Sequence, residues 1–494
     1  MSRPMMHVVP DGTAQQAPAA PAESDVHEMQ RVFEAQGVVA LQWRRSTASE
    51  RIARIRRLRE SMLAHREALY DAFAQDFRKP RLEVDATEII PTLDEMRHTM
   101  AHLKRWMKPT RVRATMLTLG NSARVEYQPR GRCLIIAPWN YPLYLLFGPL
   151  VSALAAGNPI ILKPSELAPS VAAVMCRIIR QAFEPEHVAI FEGALQTSQE
   201  LLAKPFDHIF FTGSPAVGKV VMAAAAKSLA SVTLELGGKS PTIVDASADL
   251  RKAAETIMWG KFLNCGQTCV APDHVYVHES VRNAFVAMCR QVVAQRYGAT
   301  PEAQQASADL THVINARHTH RISTLLSDAV SRGAQVLMGG QVDASRNYIA
   351  PTLITNVPAD AAIMSEEIFG PVLPLIGFTD IGQVIAEINA QPKPLALYMW
   401  SRHPGAIRRV LDETSSGGVC VNHCMVHVAH GNLPFGGVNN SGIGNAHGVF
   451  GFKAFSHERG VLQAGMLNTI KMFFPPYTPQ RVRLVGWLAN WLGR

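Results

Sequence analysis

The sequence predicts an α/β fold with two parallel-sheet units behind a helical N-terminal segment. Two observations carry this. Between residues 133 and 236 the apolar runs CLIIA, PIILK, VAIF, HIFF and SVTLEL alternate with helical stretches such as 168–183 and 216–228. A second set follows: PTIV at 241–244, HVYV at 274–277, AQVLMG at 334–339 and PVLPLI at 371–376. Short apolar strands separated by helices form βαβ units, whose sheets are parallel and covered on both faces. A chain of 494 residues buries roughly three-quarters of its unfolded surface, so this core needs neither disulfides nor metal. With 47% hydrophobic and 18% charged residues, the composition excludes both a disordered chain and a bundle of membrane spans.

Taken in order, residues 1–25 begin with an Ala-, Pro- and Gln-rich stretch that reads as a disordered lead. It lacks the charged-then-apolar order of a signal peptide. Residues 25–108 read as helices. Within them Arg44, Arg45, Arg51, Arg54, Arg56, Arg57 and Arg59 surround Ile52, Ile55, Leu58 and Met62, which predicts an amphipathic helix with a solvated basic face. This run carries much of the net charge of +9, a balance that favours anionic partners without naming one. No aromatic residues interleave with the arginines, so nucleic acid is not expected as a partner. The seven cysteines form no CxxC pair, and the spacings of Cys265/Cys269 and Cys420/Cys424 do not suit zinc. Reduced thiols and a cytoplasmic location fit this pattern, with no metal site.

Three segments have the residue types for chemistry. In FFTGSPAVGK at 210–219 a strand ends, Ser214 suits an N-cap and Pro215 suits the first helical position. Such a turn is either an ordinary strand-to-helix connection or an anion site suited to a pyrophosphate. In LNCGQTCVAP at 263–272, Cys269 is either an inert core thiol or a nucleophile. A base for it is available in Glu235, within LELGGKSP. In APWNYP at 137–142, Asn140 is either a turn residue or a donor toward a developing oxyanion.

Together and in order, APWNYP, GNPIILKPSE at 157–166, FTGSPAVGK, LELGGKSP, NCGQTCVAPD at 264–273, EEIFGPVLP at 366–374 and LPFGGVNNSGIG at 433–444 resemble the aldehyde dehydrogenase superfamily. The resemblance is nearest to its class 3 and coniferyl-aldehyde-dehydrogenase-like branch, and it runs from about residue 30 to about residue 465. It implies two Rossmann-type open-sheet domains with a small bridging and oligomerisation arm. The NAD(P)-binding domain would comprise 26–108 and 131–238, the catalytic domain 239–435, and the arm 109–130 and 436–470.

By the same resemblance Cys269 is the nucleophile, Asn140 helps hold the oxyanion, and Glu235 activates the water that hydrolyses a thioester. Trp139, Lys163, Glu166, Gly213, Ser214, Gly218, Glu367 and Phe369 are implied to hold NAD or NADP. Tyr141, Tyr144 and His423 are implied to line the path of a medium or long aliphatic, or aryl, aldehyde. A homodimer is expected. Asn439 stands where the family has Gly, as the next-best residue for a positive φ. Pro149 replaces a Lys that other branches use in proton relay. The alternative to an enzyme is a non-catalytic family member with a binding or structural role.

Residues 471–494 lie outside these blocks and form the last segment. Val482, Val485, Leu488, Trp491 and Leu492 recur at helical spacing, with Trp487 alongside and Arg481, Arg483 and Arg494 flanking. The segment is too short to span a bilayer. It reads as an amphipathic helix, packed either on protein or in a membrane interface.

Overall fold

The structure, a computed structural model, describes residues 22–465 and 469–494. The lead expected over 1–25 therefore lies, up to residue 21, outside the described residues. Glu23 and Asp25 are ordered helix caps: the Asp25 side chain accepts from the His27 N–H, and Glu23 accepts from the N–H groups of Ala194 and Thr197.

Two open sheets form the body. The first has six strands in the order Gly442–Ile443, Ser231–Leu236, His208–Gly213, Cys133–Ile136, Ile160–Lys163 and Val188–Ile190. All its pairings are parallel except the first. Its strands Cys133–Ile136 and Ile160–Lys163 are buried at every position, which is why they read as unbroken apolar runs rather than alternating ones. The second sheet has seven strands, ordered Gln335–Met338, Thr352–Thr355, Val372–Phe378, His274–His278, Pro241–Val244, Ala396–Trp400 and Gly418–Val421. The run at 334–339, expected within a parallel sheet, is its antiparallel, largely exposed edge. A third, antiparallel sheet joins Thr110–Val112, Ser122–Pro129 and Ser456–Gln463.

Residues 436–455, expected in the arm, return instead to the first sheet unit. Gly442 pairs with Glu235, and Ala446, Phe452 and Phe455 join the same core as Phe147 and Leu150. Asn439 has φ 56°, the left-handed conformation its Gly-like position requires.

The N-terminal helices do more than cover a sheet. Helices Pro142–Ala156, Pro169–Ala182, Leu195–Leu202 and Gly448–Ala454 have no capping side chain of their own. Glu88 accepts from the Tyr144 N–H, Asp76 from Val171, Glu23 from Thr197 and Glu95 from Gly448. Each carboxylate thus supplies a missing cap and faces the positive end of a helix dipole. The basic helix, Ala48–Ala64, buries Ile55, Leu58 and Met62 as its periodicity predicts. Two of its arginines depart from the expected solvated face, Arg54 by lying 3.6 Å over the Trp43 ring and Arg51 more fully. Arg51 is buried and donates to the carbonyls of Ala155 and Ala156, because the end of the neighbouring helix leaves those acceptors unpaired.

The tail forms the helix Pro479–Leu492, capped by Thr478, with no buried residue. Among the described residues, no helix is long and apolar enough to cross a membrane.

Candidate active site

The site lies where the loop after helix Leu250–Phe262 meets the loop after strand Cys133–Ile136. Asn264, Cys265 and Gly266 follow one another in left-handed backbone, with φ of 50°, 55° and 74°. Two non-glycine residues in succession there are costly and persist only where the surroundings hold them. Gly266 also packs its Cα against the Gly370 carbonyl, where a Cβ would collide. The Gln267 side chain binds across this turn, donating to Asn264 O and His312 O and accepting from the Ile314 N–H. Thr268 and Cys269 follow on a fixed backbone.

Asn140 is buried and donates one N–H to Gln267 O at 3.0 Å, while its own carbonyl accepts from Asn264 Nδ2 at 2.8 Å. The second N–H of its amide has no protein acceptor among the described residues. Beside it, the Tyr141 and Thr268 hydroxyls meet at 2.5 Å.

Cys269 is partly exposed. Burial, and then the nearby carboxyls of Glu367 and Glu235, push its thiol up to about 12, against the pull of the Cys269 and Val270 N–H groups. Glu235 is buried with neither carboxylate oxygen hydrogen-bonded, and burial raises it well above the usual carboxylate range. Glu367 is pushed up to about 8, first by burial and then by Asp273. Its carboxylate packs on Gly237, a position where a side chain would collide. Two carboxyls poised to take protons beside one thiol is an arrangement suited to acyl chemistry.

The segment that carries Glu367 is pinned by residues that sequence reasoning did not single out. Lys239 donates to Asp273 and to the carbonyls of Ile363 and Glu366, and Asp273 accepts from the Ile368 N–H. Both sit inside quoted blocks, so their presence was visible but their pairing was not. Phe369 has φ 47° and meets Trp139 edge-on at 5.5 Å.

Further along the first sheet, Ser214 caps helix Pro215–Ala226, accepting from the Val217 N–H, with Pro215 at the first position. Gly218 is buried against Leu236, where a Cβ would not fit. Lys163 is buried and pairs with Glu166 at 2.8 Å.

The three expected lining residues are not gathered together. Tyr144 is buried, stacked on His447 with ring centres 5.6 Å apart, near Tyr141 in the same turn. His423 is exposed, and its ring bonds to the backbone of its neighbour Cys424. His427 is the histidine that turns inward, onto Cys420 Sγ and between Tyr398 and Phe435. Cys265 packs in the apolar cluster of Ile322 and Leu326, apart from the cluster that borders Cys269.

A family model described as "Aldehyde dehydrogenase family" matches residues 5–461. The chain is 46% identical to the putative aldehyde dehydrogenase AldX of Bacillus subtilis, covering 88% of this chain and 97% of that protein. It is 40% identical to 4,4'-diaponeurosporen-aldehyde dehydrogenase of Staphylococcus aureus, covering 87% and 92%, and to mouse aldehyde dehydrogenase family 3 member A2, covering 87% and 88%. Among solved structures it resembles the substrate-bound state of Staphylococcus aureus AldH with TM-score 0.88 and 38% identity, over 93% of this chain and 99% of that one. The NAD+ complex of a Bacillus cereus aldehyde dehydrogenase matches with TM-score 0.81 and 26% identity, over 90% of each chain.

Proposed function

Because the chain belongs to the aldehyde dehydrogenase family, close to its class 3 branch, we propose that its NAD(P)-dependent aldehyde oxidation runs through Cys269, Glu235 and Asn140. The observation that carries this reading is one partly exposed thiol, Cys269, with the buried, unbonded Glu235 carboxyl and the half-buried Glu367 carboxyl as its nearest acidic influences.

The residues fit the cofactor. The first turn of Pro215–Ala226, opened by Gly213 and Ser214 and kept slim by Gly218, offers backbone N–H groups to a pyrophosphate. Glu166 can accept from ribose hydroxyls, and Lys163, on leaving Glu166, can meet a 2′-phosphate, so both NAD and NADP are used. Trp139, Glu367 and Phe369 border the nicotinamide end.

In the reaction, Cys269 gives its proton to solvent water at its partly exposed face and its sulfur bonds to the aldehyde carbon. The resulting oxyanion is held by the free N–H of Asn140 and the backbone N–H of Cys269, each donor worth about 3–4 kcal/mol. Bound NAD(P), held by the Ser214 turn and bordered by Trp139, Glu367 and Phe369, would supply the hydride acceptor that lets this thiohemiacetal collapse to a thioester on Cys269. Glu235 takes a proton from water as its oxygen attacks the thioester carbon. The sulfur departs and the carboxylic acid is free. The raised carboxyl suits a base working near neutral pH.

The apolar faces of Tyr141 and Tyr144 favour a medium or long aliphatic, or aryl, aldehyde. The 26–108 and 131–238 segments act as the NAD(P)-binding domain and 239–435 as the catalytic one. A homodimer is supported by two sheet edges, Gly418–Val421 and Ser456–Gln463, which can add to one another between subunits. Sedimentation velocity showing only monomer would sink it. Seven free thiols suit the cytoplasm. The tail exposes Val482, Trp487, Trp491 and Leu492, and residues 471–494 contain no Asp or Glu. It lies on anionic membrane surfaces. Equal sedimentation of full-length and truncated protein with anionic vesicles would remove that role.

The deciding experiment is reduced-nicotinamide absorbance over short aliphatic, long aliphatic and aryl-propenal aldehydes, with NAD and NADP separately, beside Cys269→Ala. Turnover that vanishes in the variant is expected. Silence of the wild type across the panel, despite cofactor binding, would favour a binding or structural role.

A further inference from the structure

We infer that Glu83 is a positioning residue for this reaction, gripping the Cys269 loop from the N-terminal helical layer, and that Lys79 and Glu88 act with it. The inference rests on the reading that Cys269 is the nucleophile.

Glu83 lies on the short helix Arg81–Val84 and is buried. Its Oε1 accepts from the backbone N–H of Asn264 at 2.8 Å and from the Thr311 hydroxyl at 3.1 Å. Asn264 is the first of the three left-handed residues before the nucleophile, so this contact holds the turn at its point of entry. The Asn264 side chain then donates to Asn140 O and Gln267 O. One residue held by Glu83 through its backbone thus ties the oxyanion donor to the thiol loop through its side chain.

Lys79 and Glu88 brace the opposite wall. Both side chains are fully buried and paired at 3.3 Å. Glu88 also caps the helix that begins two residues after Asn140, through the Tyr144 N–H at 2.9 Å. The Lys79 ammonium lies 4.5 Å from the centre of the Tyr141 ring, whose hydroxyl meets Thr268, the neighbour of Cys269. A cation over a ring face fixes that ring's plane. None of the three touches the reacting atoms. They set the distance between Asn140 and Cys269, and misplacement of such groups by about 1 Å costs about a hundredfold in rate.

The test compares Glu83→Gln, whose amide oxygen still accepts from Asn264, with the similarly sized Glu83→Met, which cannot. Steady-state kinetics, iodoacetamide labelling of Cys269 and thermal melts are read on each full-length enzyme. Glu83→Gln is expected to keep kcat within threefold. Glu83→Met is expected to lose at least thirtyfold in kcat with the KM for cofactor within threefold, and to shift the labelling rate of Cys269. Thr311→Val, which removes only the outer brace of Glu83, should lower kcat about threefold and serves if Glu83→Met does not fold. Wild-type kcat in a folded Glu83→Met enzyme, or in Thr311→Val, overturns the inference. So does equal loss in the Gln and Met variants that tracks their melting temperatures. Cys269→Ala run alongside separates the two levels: if it retains activity, the reading of the nucleophile fails, whatever Glu83 does.

Discussion

The guanidinium of Arg51 closes the far end of the helix that begins beside Asn140, donating to the Ala156 carbonyl at 2.7 Å. A second bond runs to Ala155. Gly157, the left-handed residue that ends this helix, leaves room where a Cβ would strike that guanidinium. Burial lowers Arg51 to about 10, so it is still a cation at neutral pH and complements the negative helix end. Arg51→Met should destabilise the protein by about 2–4 kcal/mol, since it orphans two carbonyls as well as removing the charge. Arg56→Ala, on the exposed face, should change stability by about 0.5 kcal/mol at most. Equal urea midpoints for the two variants would contradict this.

Alkylation of Cys269 in the enzyme without cofactor should rise about tenfold per pH unit up to pH 10. Only the thiolate reacts, and burial with two neighbouring carboxyls holds this thiol near 12. A plateau near pH 8 in the iodoacetamide rate would show an activated thiol instead.

Glu235→Gln should separate the two halves of the reaction. Hydride release needs no base at this position, so a first-turnover burst of reduced nicotinamide should persist. Steady-state kcat should fall about 10²–10⁴-fold as the thioester waits for water. Loss of the burst together with the steady state would place Glu235 in the first half.

His208 gives a pH signature of stability. It is buried between the Ser231 and Thr233 hydroxyls, and burial, then Arg130, depresses it to about 3. The unfolded imidazole binds a proton near pH 6.5 and the folded one does not. Its contribution is therefore full above that pH and declines as pH falls toward 3. From pH 7 to pH 5 the loss is about 2 kcal/mol. His208→Gln should flatten the stability–pH curve by that amount in urea melts at the two pH values, and parallel curves would refute it.

Most of the two sheets was legible because their strands are short apolar runs, and burial on both faces writes itself into composition. The turn at Ser214 was legible because capping is a local signal. The strands Ser122–Pro129 and Ser456–Gln463 were not: half exposed and polar, they are defined by pairing across more than three hundred residues. Arg51 shows the same limit on a helix, since its periodicity marks a face but not which arginine meets a neighbour's unpaired carbonyls. Cys269, Glu235 and Asn140 stood out through their blocks, whereas Glu83 sits in none. Its importance arises from a hydrogen bond to a residue 181 positions later. Residues 422–427 contain two histidines, and only the backbone, left-handed at Asn422 and Met425, decides that His427 turns in while His423 stays exposed.

The borrowed helix caps bear on how the protein is made. On a ribosome, Glu88 and Asp76 emerge well ahead of the helices whose amides they serve, and Glu95 precedes Gly448 by 353 residues. At roughly 5–20 residues per second that separation is roughly 20–70 s of synthesis. Throughout this interval Glu95 lacks the amide it caps, and the core shared with Phe147 and Leu150 lacks Ala446, Phe452 and Phe455. It is completed only when the last turn of the first sheet unit is delivered. The N-terminal layer can therefore close fully only late in synthesis, after most of the chain has left the ribosome.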